Sequence, residues 1–336
     1  MQLTLPGPVD GQPLAQMDAP IPVPGAGDIR IRVRACGVCH TDLHIVEGDI
    51  APARLPIVPG HQVVGTVDGR GSRAERFREG DRVGVPWLYS TCGECAYCRS
   101  GRENLCEQAR FTGYHVDGGY AEYMVVPEAF AYPLPHGFDD VQAAPLLCGG
   151  VIGHRALRLA GVLDEPRSEP FRLGLYGFGA SASLAIQEAI HLGCVVHVAS
   201  RSAEERERAV ELGAASTGGY AEPPAQALDA AITFAPVGSV VVFALHDLAP
   251  GGTVVINAIH LDQIPAFPYP LLWEERGMRS VANVTHRDAV EFLELAAAIP
   301  IRTAVRPYLL TDANAALADL AAGRIGAAAA VLIPER

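Results

Sequence analysis

The chain has 336 residues, 49% hydrophobic and 19% charged, with 26 basic against 38 acidic side chains and a formal charge of −12. At about 100–200 residues per domain, this length predicts two domains with apolar sequence enough for a core in each. Every basic residue is Arg; a chain without Lys forms no lysine Schiff base and completes no Walker A loop, and an acidic chain without a basic patch is a poor partner for nucleic acid.

The N-terminal sequence MQLTLPGPVDGQPL lacks the basic and apolar regions of a signal peptide. No run of about 18 apolar residues could span a membrane. The chain is therefore expected to be cytoplasmic, without membrane contact. Four of its eight cysteines fall between 92 and 106, a density that suits metal binding in a reducing compartment better than disulfides.

Residues 1–150 carry short β-type runs at Ile29–Val33, Val63–Val67, Arg82–Val85 and Tyr120–Val126, separated by turn signals such as Glu79-Gly80-Asp81 and Asp117-Gly118-Gly119. That pattern predicts a mostly β domain with long loops. Residues 145–161 read as a helix, and Leu163–Pro170 as a polar surface linker. From Phe171 strand and helix alternate: FRLGLYGF is a strand, Ala180–Leu192 a helix, CVVHVAS a strand, and Ala203–Leu212 a helix that Ser202 can cap. Ala230–Phe234, Thr253–Asn257 and Ser280–Asn283 are further strands, with a helix at Val240–Leu248. This alternation predicts a parallel sheet. The last segment, Thr303–Arg336, offers one strand (Val305–Leu310) and one helix (Asp312–Ala322), and periodicity does not say to which domain it belongs.

Cys92, Cys95, Cys98 and Cys106 follow the spacing C-x2-C-x2-C-x7-C. Four thiolates on such a loop close a tetrahedron around Zn²⁺ and leave no position for substrate, so the lobe reads as a structural zinc site. The bacterial iron–sulfur run places its fourth Cys differently and follows it with Pro. A second group of ligand types is scattered: Cys39, His40, Asp42 and His44 in GVCHTDLH, His61 in PGHQ, and Cys148 in LLCGG. A set of two Cys and one His with an open position is a catalytic zinc arrangement. Each residue taken alone reads more readily as core.

Gly177, Gly179, Ala180, Ser181 and Ala182 form a Gly-rich turn between an expected strand and an expected helix. This is the context of a dinucleotide fingerprint, with the pyrophosphate at the helix N-terminus. At the end of the next strand, where NAD enzymes carry an acid, stand Ser200, Arg201 and Ser202. An Arg flanked by hydroxyls suits a 2′-phosphate, which favours NADP(H) over NAD(H).

Taken in order, GVCHTDLH, PGH, the four-Cys lobe, AAPLLC and GFGASA resemble the zinc-dependent alcohol dehydrogenases of the medium-chain dehydrogenase/reductase superfamily, nearly end to end. The resemblance implies an α/β protein: a GroES-like, mostly β catalytic domain (1–150, with its zinc lobe at about 90–108), a Rossmann doubly wound parallel-sheet domain (151–286), and a C-terminal segment (287–336) returning to the catalytic domain. It implies two Zn²⁺ per chain: a catalytic one on Cys39, His61 and Cys148, and a structural one on the four-Cys lobe. It gives Thr41 and His44 the proton relay, Asp42 the orientation of His61, and His40 a place near the pyrophosphate. Asn257 joins the cofactor-binding set. The implied reaction is reversible hydride transfer between a primary or secondary alcohol and NADP(H) through a zinc-bound alkoxide, in a cytoplasmic homo-oligomer, dimer or tetramer. Trp87, Leu88, Tyr89 and Ile45 are candidates to line a substrate cleft between the domains.

Three features depart from the family pattern. Gln62 stands where Glu usually follows the His, the 323–330 segment GRIGAAAA lacks a common basic residue, and TFAPVG (233–238) replaces an Asp-rich stretch. Two alternatives stay open beside this reading: an NAD-linked dehydrogenase in which Arg201 stacks on adenine, and a zinc- and dinucleotide-binding sensor without turnover. Cys36 and Cys194 read as buried thiols.

Overall fold

Ile29, Ile31 and Val33 alternate with Arg30, Arg32 and Arg34 along β1 (Asp28–Val38), so one face enters the core and the other meets solvent. From Ala35 to Val38 every residue of β1 is buried, because neighbours cover both faces there. The computed structural model describes residues 1–164 and 169–335; residues 165–168 of the expected linker lie outside the described residues. The described chain divides into two compact units, Met1–Cys148 with Asn283–Arg336, and Gly149–Ala282.

The first unit is built on a mostly antiparallel sheet. After β1 come α1 (His40–Glu47), β2 (Gln62–Arg70), β3 (Arg82–Val85), β4 (Tyr123–Pro127) and β5 (Tyr132–Pro133). The β1–β2 ladder runs from Ile29↔Arg70 to Gly37↔Gln62, and β4 pairs with the Asp28–Arg32 half of β1. Residues Tyr120–Glu122, expected in a strand, precede β4 without joining it. A second, two-stranded pairing of Leu88–Ser90 with Arg110–Phe111 brackets the four-Cys lobe and ties its ends together.

The second unit opens with α2 (Gly149–Leu159), which the sequence had extended back to residue 145; Ala144–Leu147 is instead a 3-10 turn, and Cys148 lies between the two. There follow β6 (Arg172–Tyr176), α3 (Ala180–His191), β7 (Val195–Ala199), α4 (Ala203–Glu211), β8 (Ser216–Gly218), β9 (Leu228–Thr233), α5 (Gly238–His246), β10 (Leu248–Ile256) and β11 (Gly277–Ser280). All six strands are parallel, in the order β8-β7-β6-β9-β10-β11. The order reverses between β6 and β9, which is the doubly wound arrangement with its switch point. Apolar residues such as Leu173, Leu175, Ala230 and Ile232 are fully buried because helices cover the sheet. The expected strand Ser280–Asn283 is displaced: β11 ends at Ser280, and Asn283 adopts a left-handed turn at φ 54°.

The chain then re-enters the first unit. Thr285 caps α6 (His286–Ala298) through a capping box with Asp288, a helix the sequence reading had not singled out. After it come β12 (Val305–Leu309), α7 (Ala313–Ala321) and β13 (Ala329–Ile333). The C-terminal segment thus carries two strands, not one. β12 pairs parallel with β13, and β13 pairs antiparallel with Cys36–Val38 of β1. Ala-rich β13 lacks a β-branched signal until Val331, and its partner β1 supplies what propensity does not. No helix among the described residues is long and apolar enough to cross a membrane.

Candidate active site and metal centres

Cys39 closes β1 and serves as N-cap of α1, which fixes its direction at a strand-to-helix corner. Three residues on, Asp42 is fully buried and reaches back: its Oδ2 accepts from the Cys39 amide at 3.0 Å, while Oδ1 accepts from the Gly60 amide at 3.2 Å and faces His61 Nδ1 at 3.1 Å. His61 therefore presents Nε2, which lies 3.3 Å from Cys39 Sγ. The turn before it requires Gly60, at φ +98°, where a Cβ would stand 2.3 Å from the Tyr120 ring. Cys148 arrives from the end of the 3-10 turn, and the ligand atoms of Cys39, His61 and Cys148 all lie within 4.8 Å of one another.

The donor set passes a geometric test. A tetrahedral centre with zinc-type bond lengths puts S and N ligands at ~3.6 Å and two S ligands at ~3.8 Å from each other; the Cys39–His61 separation is within a few tenths of that. The electrostatics fit as well. Burial would lower the His61 pKa, but the neighbouring Asp42 and Cys39 charges outweigh it and hold the imidazole well above its usual range. A hydrogen bond from the Cys148 thiol pulls Cys39 well below the usual thiol range, burial opposing, and the same bond pushes Cys148 well above it. Burial raises Asp42, against the attraction of His61. Two cysteines beside a histidine are a set that sheds protons as a divalent cation binds.

Thr41 is buried and His44 half-buried, one turn apart on α1, with His44 Nδ1 2.9 Å from Asp49 Oδ2. His40 at the head of α1 is exposed, its ring 6.4 Å from that of His44. Trp87 stands 5.9 Å from His61, ring to ring, and stacks on Phe111 at 4.6 Å. Of the other residues expected to line a cleft, Ile45 and Leu88 are each 1% exposed and belong to the packed interior, and Tyr89 packs partly buried against the core. Gln62 is buried across the ladder from Gly37, where a Cβ would come within 2.4 Å of its Oε1. Asp49, Gly60 and Tyr120 carried no chemical signal in the sequence; only the Pro59-Gly60 turn before His61 hinted at one of them.

The lobe cysteines also converge. Cys92 Sγ lies 3.8 Å from Cys98 and 3.6 Å from Cys106, and Cys95 Sγ 3.5 Å from Cys98. These match the ~3.8 Å edges of a sulfur tetrahedron around zinc. The short helix Ala96–Arg99, capped by Cys95, and left-handed turns at Gly93 and Gly101 bend the loop to this shape. Backbone amides of Glu94 and Cys95 donate to Cys92 and bring its pKa to about 7. All eight cysteines are free, and Cys36 and Cys194 are buried in the core.

In the second unit the dinucleotide candidates share the carboxyl edge of the parallel sheet. Ala199, Tyr176, Thr233 and Ile256 stand in register across β7, β6, β9 and β10, so Ser200, Gly177, Phe234 and Asn257 follow them at one edge. Gly177, at φ +91°, admits no Cβ because the Ala235 amide would lie 2.8 Å away. That contact comes from the TFAPVG stretch, whose Phe234 and Ala235 amides both donate to the Tyr176 carbonyl. Gly179 caps α3 with no side chain over the helix end and open space beside its Cα. Ala180 and Ser181 form the first turn and Ala182 is fully buried against the core. Ser200 is buried, Ser202 caps α4 by accepting from the Glu205 amide, and Arg201 is exposed. This edge, at the switch point and with an uncapped helix end, fits a dinucleotide pyrophosphate. Arg324, within the 323–330 segment, donates to Asp319 at 2.7 Å in the first unit.

A family model described as the alcohol dehydrogenase GroES-like domain matches residues 25–136. The Mycobacterium tuberculosis protein named "Probable alcohol dehydrogenase AdhA" is 47% identical over 338 residues, which cover 99% of this chain and 96% of its own. The cinnamyl alcohol dehydrogenase SbCAD4 from Sorghum bicolor superposes with a TM-score of 0.88 at 26% identity, covering 99% of this chain and 97% of that one. The thermostable alcohol dehydrogenase from Pyrobaculum aerophilum, solved with cobalt and zinc bound, gives 0.87 at 26% identity, covering 99% and 98%. With relatives of this similarity spanning its length and both halves of the expected fold in place, the chain belongs to the alcohol dehydrogenases of the medium-chain dehydrogenase/reductase superfamily.

Proposed function

We propose that this alcohol dehydrogenase is zinc-dependent and interconverts a primary or secondary alcohol and its carbonyl product with NADP(H). The observation that carries the reading is the convergence of Cys39, His61 and Cys148 with Asp42 behind His61. The cobalt- and zinc-bound Pyrobaculum relative supports the choice of metal. Cys39, His61 and Cys148 would hold a catalytic zinc and the four lobe cysteines a structural one. Bound there, zinc supplies Lewis acidity that lowers the pKa of an alcohol hydroxyl, and the nicotinamide supplies the hydride acceptor.

The chain's own part is to hold ligands and move a proton. Asp42 accepts from His61 Nδ1, which fixes the tautomer that presents Nε2 and raises its basicity. Thr41 accepts the alcohol proton at its hydroxyl and His44 passes it toward solvent, with Asp49 steadying the imidazole. A relay of this kind has no use in a sensor without turnover. Gly177, Gly179 and the first turn of α3 bind the pyrophosphate, while Arg201 and Ser202 pair with a 2′-phosphate; the buried Ser200, expected to join them, instead donates its hydroxyl proton to Glu205. A cytoplasmic setting is carried from the metal-type spacing of the cysteines, and a homo-oligomer, dimer or tetramer, from the family resemblance, with sedimentation as its test.

The test is the specificity constant for reduction of an aromatic aldehyde by the zinc-loaded protein, with NADPH and with NADH. A preference for NADPH supports hydride transfer and the Arg201 assignment together. A preference for NADH keeps the reaction and overturns the cofactor choice. No turnover with either, despite dinucleotide binding and zinc in both sites, favours the sensor.

A further inference from the structure

At the carboxyl end of β7 a circuit of hydrogen bonds joins groups of opposite preference. The buried Ser200 hydroxyl donates to Glu205 Oε2 and accepts from the Ser202 amide at 3.2 Å. The Glu205 amide donates to Ser202 Oγ at 3.2 Å, and Arg206 Nη1 donates to the Ser200 carbonyl at 2.6 Å. Glu205 is half-buried on the first turn of α4, so the tether and its packing hold a carboxylate beside Ser200.

A dinucleotide with its pyrophosphate on the Gly177–Gly179 turn extends its adenosine ribose toward the end of the neighbouring strand, here β7. An acid there accepts the 2′-hydroxyl, and a cation there pairs with a 2′-phosphate. This edge has both, Arg201 directly after Ser200 and the carboxylate of Glu205 tied to Ser200. We propose that Glu205 sets selectivity at the 2′ position: its second oxygen accepts the ribose 2′-hydroxyl and its charge repels a 2′-phosphate, opposing Arg201 and narrowing the preference for NADP(H) over NAD(H). Oε2 accepts the Ser200 proton, and a carboxylate has acceptor capacity for a second partner. A phosphate monoester carries about −1.5 to −2 near neutral pH, so an adjacent carboxylate acts against it.

The inference rests on the dinucleotide site proposed above, and binding without turnover separates the two. The probes are 2′-phospho-ADP-ribose and ADP-ribose, titrated calorimetrically into the full-length wild type, Glu205→Gln, Glu205→Asp and Arg201→Gln. Glu205→Gln keeps an acceptor for Ser200 and removes the charge. It is expected to tighten 2′-phospho-ADP-ribose by about tenfold and to weaken ADP-ribose by about threefold. Glu205→Asp, which retains the charge on a shorter stem, is expected to shift the ratio less. A helix-capping role alone would change the thermal midpoint and leave the ratio of the two affinities where it was. An unchanged ratio in both Glu205 variants, or a shift toward ADP-ribose, overturns the proposal. An unchanged ratio in Arg201→Gln overturns only the phosphate assignment of Arg201. Failure of both probes to bind the wild type overturns the site itself.

Discussion

Asp42 holds three groups at once, the Cys39 amide, the Gly60 amide and His61 Nδ1. It thereby ties Cys39 and the Gly60–His61 turn into one frame. Asp42→Asn keeps the shape and removes the charge behind the imidazole. It is expected to weaken catalytic zinc binding by about 10–100-fold while the lobe retains its metal, as metal analysis after graded chelation would read. Gly60→Ala has a different mechanism. A methyl group driven toward the Tyr120 ring must move the backbone that carries His61, and a loss of about 2–3 kcal/mol in unfolding free energy is expected. Cys39, His61, Cys148 and Asp42 could be picked out as candidates in the sequence because Cys, His and Asp announce their chemistry. Tyr120 and Asp49 could not, since an aromatic ring and a surface acid have many ordinary uses, and only folding brings one onto Gly60 and the other to His44.

Elements differ in how openly the sequence declares them. The helices of the parallel-sheet unit and its strands β6, β7 and β9 stand within a few residues of expectation because their runs are bounded by glycine and capping residues, as at Gly179 and Ser202, whereas the three-residue edge strand β8 was not expected. α1 was overlooked because His40–Glu47 mixes buried Thr41 and Asp42 with apolar residues, and its polar interior serves the site rather than the core. β13 was overlooked because four alanines in a row read as helix. His197 on β7 gives the sheet a pH dependence. Its Nδ1 meets Ser216 Oγ at 2.8 Å, its Nε2 has no partner among the described residues, and burial holds its pKa below the usual 6.5. A folded pKa below the unfolded one means that the unfolded chain takes up the proton first. Stability is therefore full above pH 6.5 and declines as pH falls from there through the folded value. Thermal midpoints recorded from about pH 8 to about pH 5 are expected to fall, and to fall less in His197→Gln. For the lobe, Cys95→Ser breaks one corner of the sulfur tetrahedron. Loss of one zinc per chain and a midpoint lower by about 5 °C or more is expected, read by metal analysis and calorimetry.

Across the whole molecule, one compact unit is interrupted by the other: the chain leaves the first at Cys148 and re-enters it at Asn283. The last strand, β13, lies against the Cys36–Val38 end of β1, immediately before Cys39. Synthesis runs from the N-terminus, so the ribosome delivers Cys39, His61 and Cys148 long before the strand that covers their neighbour. During that interval the inserted parallel sheet can close on its own residues, whereas β1 waits with an edge unpaired. A nascent chain stalled short of Ala329 would present that edge to chaperones or to other chains, so the vulnerable interval lasts until β13 has been delivered.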